Sequence, residues 1–489
     1  MEKFRDIIII GAGPAGLSAA VTASAHGLDV IVLDDQPSVG GQIYRNIENA
    51  GKEKIKLLGP DYGRGTSLVE QFKKSRAHYL GNAIVWQINA QGNVCFSKNG
   101  KSTEINGRHI LLATGAMERP VPFSGWTLPG VMGAGAVDAN FKSSSTIPQG
   151  PVVLAGSGPL LLLTAAHLAT LNVKINAVLD TTPLGNYRTA LPFLPRALTR
   201  PDYLLKGLGM LLNLQKPGGN YVRGVTEYKA HGSDTLDHVS FKTRHKTHHV
   251  DAGVLLVHEG IVPRCDFTRQ LDIKHLWDPV QRYWYPETNA LGNTALKTVH
   301  VAGDGAFVHG GVSAQLKGTL AAIDMAGTLG ALPGNNRSKA LENFQNDQGV
   351  KQSSKSGALI RNQHVNRLKK QLNGELAPRP FVDALYRPRP HLYNMDDDTL
   401  ICRCESVTAK DIRQAISQGC REPNEIKTLT RCGMGPCQGR MCGMALTEII
   451  AESINSTPCD LKALSIRPPV RSISLSELAK TDLLEHHTQ

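Results

Sequence analysis

Several things are missing from this 489-residue chain, and each absence removes a class of function. The formal net charge is +12, yet there is no run of five or more lysines or arginines and no basic stripe interleaved with aromatic residues. Nucleic-acid partners call for such a concentrated footprint and are set aside. The surplus charge suits an anionic membrane face, an acidic protein or anionic cofactors instead. The run Ile7–Ile10 is too short for the core of a signal peptide and meets a glycine turn at once. The most apolar window, Pro151–Val173, is broken by Gly-Ser-Gly-Pro and contains His167, so it reads as strand, turn and helix rather than a membrane span. The chain is therefore expected in the cytoplasm, with a peripheral seat at the inner membrane face as the variant. No G-x-S-x-G motif, no histidine pair at metal-ligand spacing and no acid–base pair stands out, so no catalytic residue is assigned. Before residue 402 the only cysteines are Cys95 and Cys265.

What is present begins with a nucleotide site. A buried parallel strand, Ile7–Ile10, runs into Gly11-Ala-Gly13-Pro14-Ala15-Gly16, a G-x-G-x-x-G turn. Gly11 makes the tight bend, Gly13 lets a pyrophosphate approach the backbone, and Gly16 lets the following helix pack on the strand. That helix is expected to run to about His26 and stop at Gly27. A second strand, Val30–Leu33, delivers Asp34 and Asp35, where an acid accepts hydrogen bonds from a ribose. This unit alone fits FAD or NAD.

The turn is repeated at Gly156-Ser-Gly158-Pro-Leu-Leu161, with Asp180 closing the next strand. Leu161 replaces the third glycine, and its bulk should displace the helix or alter the fit of a pyrophosphate. A vestigial scaffold, a retained adenine nucleotide (ATP or NAD) and a working NAD(H) site all stay open. Downstream, Val225–His249 alternates as strands do, and His258 near the end of the next strand reads as a hydrogen-bonded structural histidine. The segment Leu191–Leu214, with "LLKGLGMLLNL", reads either as an exposed apolar helix for a partner or lipid or as a packed helix in a long excursion.

Seven of the nine cysteines fall between Cys402 and Cys459. They are arranged as Cys402-Arg-Cys404, then Cys432-Gly-Met-Gly-Pro-Cys437-Gln-Gly-Arg-Met-Cys442. A disulfide framework belongs to small secreted domains, and zinc sites favour C-x2-C knuckles. Two tight loops of thiolates suit a [2Fe-2S] cluster better. Cys402 and Cys404 form one pair; the second pair is Cys437 and Cys442, or Cys432 and Cys437. Thr408 with Asp411 marks a helix start.

Several stretches carry a resemblance. Thr114-Gly115, in "LLATGA", and Gly303-Asp304, in "VAGDGA", resemble the motifs that hold FAD in flavoproteins with two nucleotide domains. The loop Gly40-Gly41-Gln42-Ile-Tyr-Arg45 fits the same group, either touching the flavin or lying as a surface turn. Disulfide reductases of that architecture need two cysteines beside the flavin; this loop has none, so a dithiol mechanism is excluded. "CRCESVTAKDIRQAI" followed by "TLTRCGMGPCQGRMCG" resembles the bacterioferritin-associated-ferredoxin type of [2Fe-2S] module. That pattern places the second pair on either side of Gln-Gly-Arg, at Cys437 and Cys442, with Cys432 in reserve. With "VHEGIVP" and "IRPPVRSISLSELA", these motifs resemble, in order, the α subunits of heteromeric opine oxidases. Related α subunits serve dye-linked L-proline and D-hydroxyproline dehydrogenases and hydrogen cyanide synthase.

The resemblance implies an α/β flavoprotein of two Rossmann-like domains with a small helical [2Fe-2S] domain. The expected division is 1–125 and 256–335 for FAD, 126–255 for the second nucleotide domain, 336–395 as linker, 396–460 for the cluster and 461–489 as a tail. The tail is expected to lie along another subunit or along the flavin domain. It also implies a β subunit resembling D-amino-acid oxidase, in some cases a small ferredoxin-like subunit, and in some members FMN at a subunit junction. Electrons would pass from the β-subunit flavin to a quinone or dye. A stand-alone NAD(P)H:acceptor reductase is the competing reading.

Overall fold

A computed structural model describes residues 4–214, 220–244, 246–330, 357–390 and 392–479. The polar stretch from Gly334 lies outside the described residues as far as residue 356. The strands β1 (Phe4–Ile10), β2 (Val30–Leu33), β3 (His78–Leu80), β4 (Ile84–Ile88), β5 (Asn93–Lys98) and β6 (Lys101–Leu112) form one sheet in the order β3-β2-β1-β6-β5-β4. β1 pairs in parallel with β2 and β6, and Val299–Val301 returns late in the chain to pair in parallel with β6. Four consecutive isoleucines in β1 are almost wholly buried because both faces of the sheet are covered. Helix α1 (Pro14–Ala25) covers one face and packs on the helix Gly311–Thr328. A side chain at Gly318 would collide with the Ala15 carbonyl, so the helices meet closely.

The second sheet is all parallel in the order Tyr221–Arg223, Ile175–Asp180, Val152–Ser157, Val254–Glu259, Val131–Gly133. The expected alternating stretch forms three antiparallel strands, Val225–His231, His238–Thr243 and Lys246–Asp251. Leu161 is 1% exposed and joins a core with Leu154, Ala165 and Leu256, so the domain absorbs its bulk. Both readings of the Leu-rich excursion hold in part. Leu214 is buried, while Leu205, Leu208 and Leu212 point outward from the helix Pro201–Leu214.

The C-terminal unit starts with a two-stranded ribbon, Leu400–Cys402 and Val407–Thr408, followed by helices Ala409–Ser417, Pro423–Thr430 and Gly443–Ser453. The expected helix start is a reciprocal box: Thr408 N donates to Asp411 Oδ2 (2.8 Å) and Asp411 N to Thr408 Oγ1 (3.3 Å). Ile412, Ile416, Ile426, Leu446 and Ile450 form its core. Trp126 Nε1 donates to Leu400 O at 2.8 Å and ties this unit to the body. The tail lies along the first sheet: Val470 is fully buried and its N donates to Trp86 O in β4 (2.7 Å). Among the described residues no helix is long and apolar enough to cross a membrane.

Arg119 links these parts. It is 4% exposed, and its guanidinium donates to the carbonyls of Glu259 (3.0 Å), Arg282 (2.9 Å) and Gln281. Arg119→Ala leaves those carbonyls without the charged donor. The variant is expected to lose at least about 3 kcal/mol, read as a lower denaturant midpoint.

Candidate dinucleotide cleft and thiol cluster

Ligands in such sheets sit outside the carboxyl ends of the strands. Here the ends of β1, β6 and Val299–Val301 converge: Ala113 N donates to Ile10 O (2.9 Å) and Ala302 N to Leu112 O (3.0 Å). The loop carrying Gly41 folds over the fingerprint turn, with Gly40 N donating to Ala12 O at 2.9 Å. A Cβ on Gly41 would stand 2.7 Å from the Gly13 Cα, and its φ is +60°. A Cβ on Gly13 would meet nothing nearer than 3.9 Å. The protein therefore leaves room above Gly13, and α1 begins there with no capping side chain on its free amides. An open helix N-terminus over bare backbone fits a pyrophosphate.

The other expected residues line the same cleft. Asp34 Oδ2 accepts from Ala12 N (2.5 Å) and Oδ1 from Gln36 N (2.8 Å). Burial pushes its carboxyl up from 3.8 to about 6, against those two amides. Asp35 is exposed, and its Oδ1 accepts from Gln36 Nε2 at 2.8 Å. Thr114 Oγ1 donates to Arg264 O (3.3 Å), and Gly115 O accepts from Arg264 N (3.0 Å). A Cβ at Gly303 would sit 2.8 Å from the Cβ of Ala15 in α1. Asp304 Oδ1 accepts from His309 N (2.8 Å) and Gly310 N (2.9 Å). Gln42 is exposed, and its carbonyl accepts from Lys142 Nζ at 3.4 Å. Arg45 Nε and His309 Nδ1 are buried with no hydrogen-bond partner. The bare glycine floor at Gly13 and the open start of α1 suit the pyrophosphate of FAD.

The second crevice is organised differently. Tyr221 OH donates to Asp180 Oδ2 at 2.6 Å, and Thr182 N donates to Oδ1 at 2.9 Å. The ring of His258 comes within 3.4 Å of where a Cβ on Gly158 would lie, and a Cβ on Gly156 would strike the His258 carbonyl. His258 Nδ1 pairs with Glu118 Oε1 at 2.8 Å. Buried Glu259 is engaged by Arg389 (3.4 Å) and by Tyr228 OH (3.1 Å). The carboxylates of Asp180 and Glu259 are thus already engaged by donors of this chain.

The cysteine loops meet in cross-loop contacts. The sulfurs of Cys402, Cys432 and Cys442 lie within 4.8 Å of one another, and all three residues are buried. Cys404 is exposed and hydrogen-bonds to half-buried Cys437 at the rim. One loop therefore places Cys402 against Cys442 and Cys404 against Cys437, with Cys432 joined to the inner group. A Cβ on Gly435 would fall on Cys404 Cβ, so the approach depends on that glycine. Hydrogen bonds from Cys432 and Cys442 lower the Cys402 thiol, and the same contacts raise those two. Among the described residues the grouped donors are all sulfur, which suits an iron–sulfur cluster or an all-cysteine zinc site.

Cleft and cluster are neighbours. A cavity of about 70 Å³ is walled by Val262, Arg264 and Trp284 on one side and Gln438, Gly439 and Arg440 on the other. Arg440, between Cys437 and Cys442, donates to Val470 O (2.7 Å) and faces Asp266 at 3.9 Å. Arg264 escapes the sequence reading, although a cation directly after the strand Ile261–Pro263 is a readable signal. Glu118, by contrast, gives none, because its partner His258 lies 140 residues away.

Comparisons with known proteins agree with this layout. A family model described as pyridine nucleotide-disulphide oxidoreductase matches residues 5–200, and one described as the sarcosine oxidase A3 domain matches residues 397–482. The chain is 37% identical to the A subunit of opine oxidase from Agrobacterium tumefaciens (strain Ach5), over 98% of this chain and 92% of that one. It is 31% identical to the HcnB subunit of hydrogen cyanide synthase from Pseudomonas protegens, over 89% of each. The alpha subunit of sarcosine oxidase from Rhizobium meliloti is 23% identical over 99% of this chain and 43% of its own length. Among solved structures, L-proline dehydrogenase from P. horikoshii shares the fold, with a TM-score of 0.67 at 17% identity over 97% of this chain and 79% of that one.

Because the raised Asp34 carboxyl holds its proton in the folded state between 3.8 and about 6, cofactor-free stability should fall as pH rises through that window. Ribose hydroxyls donate more strongly to the ionised form, so FAD affinity of the apo-protein should rise through about pH 6. Asp34→Asn should flatten this profile and weaken binding about tenfold above it, measured by flavin fluorescence titration.

Proposed function

The chain belongs to the family of opine oxidase A subunits, and from that footing we propose that it is the FAD and [2Fe-2S] electron-transfer α subunit of a heteromeric dehydrogenase. The complex would act on CH–NH donors of the opine, proline or hydroxyproline type. A β subunit resembling D-amino-acid oxidase would take two electrons and two protons from the donor's C–N bond, leaving an imine that water hydrolyses. A small ferredoxin-like subunit is a further candidate member. The electrons would leave for a quinone or dye, with the complex in the cytoplasm at the inner membrane face.

The observation that carries this reading is one cavity lined both by Arg264, whose backbone bonds Thr114 and Gly115, and by Arg440, which lies between Cys437 and Cys442. Bound FAD exchanges electron pairs and a [2Fe-2S] cluster single electrons, so one chain holding both converts one currency into the other. The residues have separate tasks. Gly13 and Gly41 leave the floor bare for the pyrophosphate, and Asp34 receives the ribose. Asp304 fixes the turn before the helix Gly311–Thr328. Cys402, Cys404, Cys437 and Cys442 are the proposed ligands on the resemblance at Gln-Gly-Arg, with Cys404 meeting Cys437 at the rim and Cys402 and Cys442 lying inside together with Cys432. Cys432 is the reserve. Arg440 holds that loop on the flavin half.

The hydrogen cyanide synthase type of subunit remains the nearest alternative at the level of substrate, on the 31% identity to HcnB. The stand-alone NAD(P)H reductase is disfavoured by the way Asp180 and Glu259 are already engaged. An adenine nucleotide in that crevice, or FMN at a subunit junction, stays part of the proposal.

Anaerobically purified protein should show flavin bands, a brownish absorbance, iron and acid-labile sulfide. Cys402→Ser, Cys404→Ser, Cys437→Ser and Cys442→Ser should each abolish the cluster absorbance, whereas Cys432→Ser should keep it. Amine dehydrogenase activity should stay near background until a β-like chain is added. Zinc in place of iron, or rapid opine oxidation by the isolated chain, would defeat the proposal.

A further inference from the structure

Of the 17 large apolar side chains exposed among the described residues, nine lie between Leu184 and Leu212. They are ordered. On the helix Leu184–Ala190 and its continuation, Leu184, Tyr187 and Leu191 stand at i, i+3 and i+7, with exposures of 58%, 42% and 61%. On the helix Pro201–Leu214, Leu205, Leu208 and Leu212 repeat that spacing at 66%, 52% and 56%. Ala190, Ala197 and Leu214 are buried beneath, so the segment is anchored in the second domain and presents its apolar side by construction. Monomer surfaces seldom concentrate apolar side chains in this way without a partner.

The charge around the stripes identifies the occupant. The segment carries Arg188, Arg196, Arg200 and Lys206 against one acid of its own, Asp202; Arg200 is taken up by Asp202 at 2.9 Å and Glu375 at 2.5 Å, and Lys206 by Asp61, which leaves two cations, Arg188 and Arg196. Arg188 and Arg196 are exposed and pair with no acid among the described residues. A symmetric contact between two copies would set these like charges against each other. Leucine and tyrosine flanked by the two unpaired arginines, Arg188 and Arg196, is the pattern of helices that lie in an anionic lipid interface, apolar side down, with cations on the headgroups. We infer that the surface between Leu184 and Leu212 rests on an anionic bilayer. The inference rests on the reading of the chain as a donor to a membrane-dissolved acceptor, and it names the face that brings it there.

Flotation of the full-length chain with mixed phosphatidylglycerol–phosphatidylcholine vesicles, and with pure phosphatidylcholine vesicles, tests it. The chain should float with the anionic vesicles. The triple variant Leu205→Ser/Leu208→Ser/Leu212→Ser should lose binding at least about tenfold. Arg188→Gln/Arg196→Gln should lose about fivefold per charge on anionic vesicles only. These side chains are exposed, and unchanged flavin and iron contents would show that the variants fold. A chain without iron that still floats through this face would uphold the lipid surface and sink the relay. Absence of flotation, or flotation indifferent to the triple variant, would overturn the inference. A dimer that the triple variant converts to monomer, without lipid binding, would overturn it in favour of a second copy.

Discussion

Close approach of bare backbone governs both sites. The Gly41 loop can lie over the fingerprint turn only because Gly41 carries no Cβ, and the open space above Gly13 is what a pyrophosphate needs. In the C-terminal unit, Gly435 lets one cysteine loop come against Cys404, which brings Cys437 to it. A methyl group at Gly41 or Gly435 would separate the strands of chain whose contact defines a site. Hydrophobic burial then holds the approach: the isoleucines of β1 beneath one site, and Ile412, Ile426 and Leu446 beneath the other.

Much of this is legible because it is local. The glycine turn, the strand to Leu33 and the Thr408–Asp411 cap are each written within a few residues, and each forms as read. Contacts between distant segments are not legible. No periodicity joins Glu118 to His258, Arg119 to the carbonyl of Arg282, or Arg440 to Val470. The pairing of thiols across loops also escapes spacing, since Cys432–Cys437 and Cys437–Cys442 have the same separation. Leu161 should disturb its helix on the sequence alone, and the core instead accommodates it, because helix packing depends on total volume rather than on one glycine.

The two nucleotide folds in this chain illustrate how one architecture diverges. Both keep the strand, the glycine turn and the closing acid. In the first, the floor at Gly13 stays open. In the second, Tyr221, Tyr228 and Arg389 have come in from elsewhere to occupy Asp180 and Glu259. Burial of a carboxylate demands a donor, and here the chain supplies it from within. Arg389 arrives on the segment leading into the cysteine unit, so the second domain also serves as the mount for that unit.

The contact of Val470 with Trp86 bears on how the molecule is made. β4 is an outer strand of the first sheet, and an unpaired outer strand invites another chain to add to it. During synthesis the first β-strands emerge hundreds of residues before Val470 can reach them. The margin of the flavin half is thus unguarded through most of translation and is closed by the segment that also takes the Arg440 hydrogen bond. Val470 therefore couples the covering of that margin to the seating of the cysteine loop, its amide serving one and its carbonyl the other.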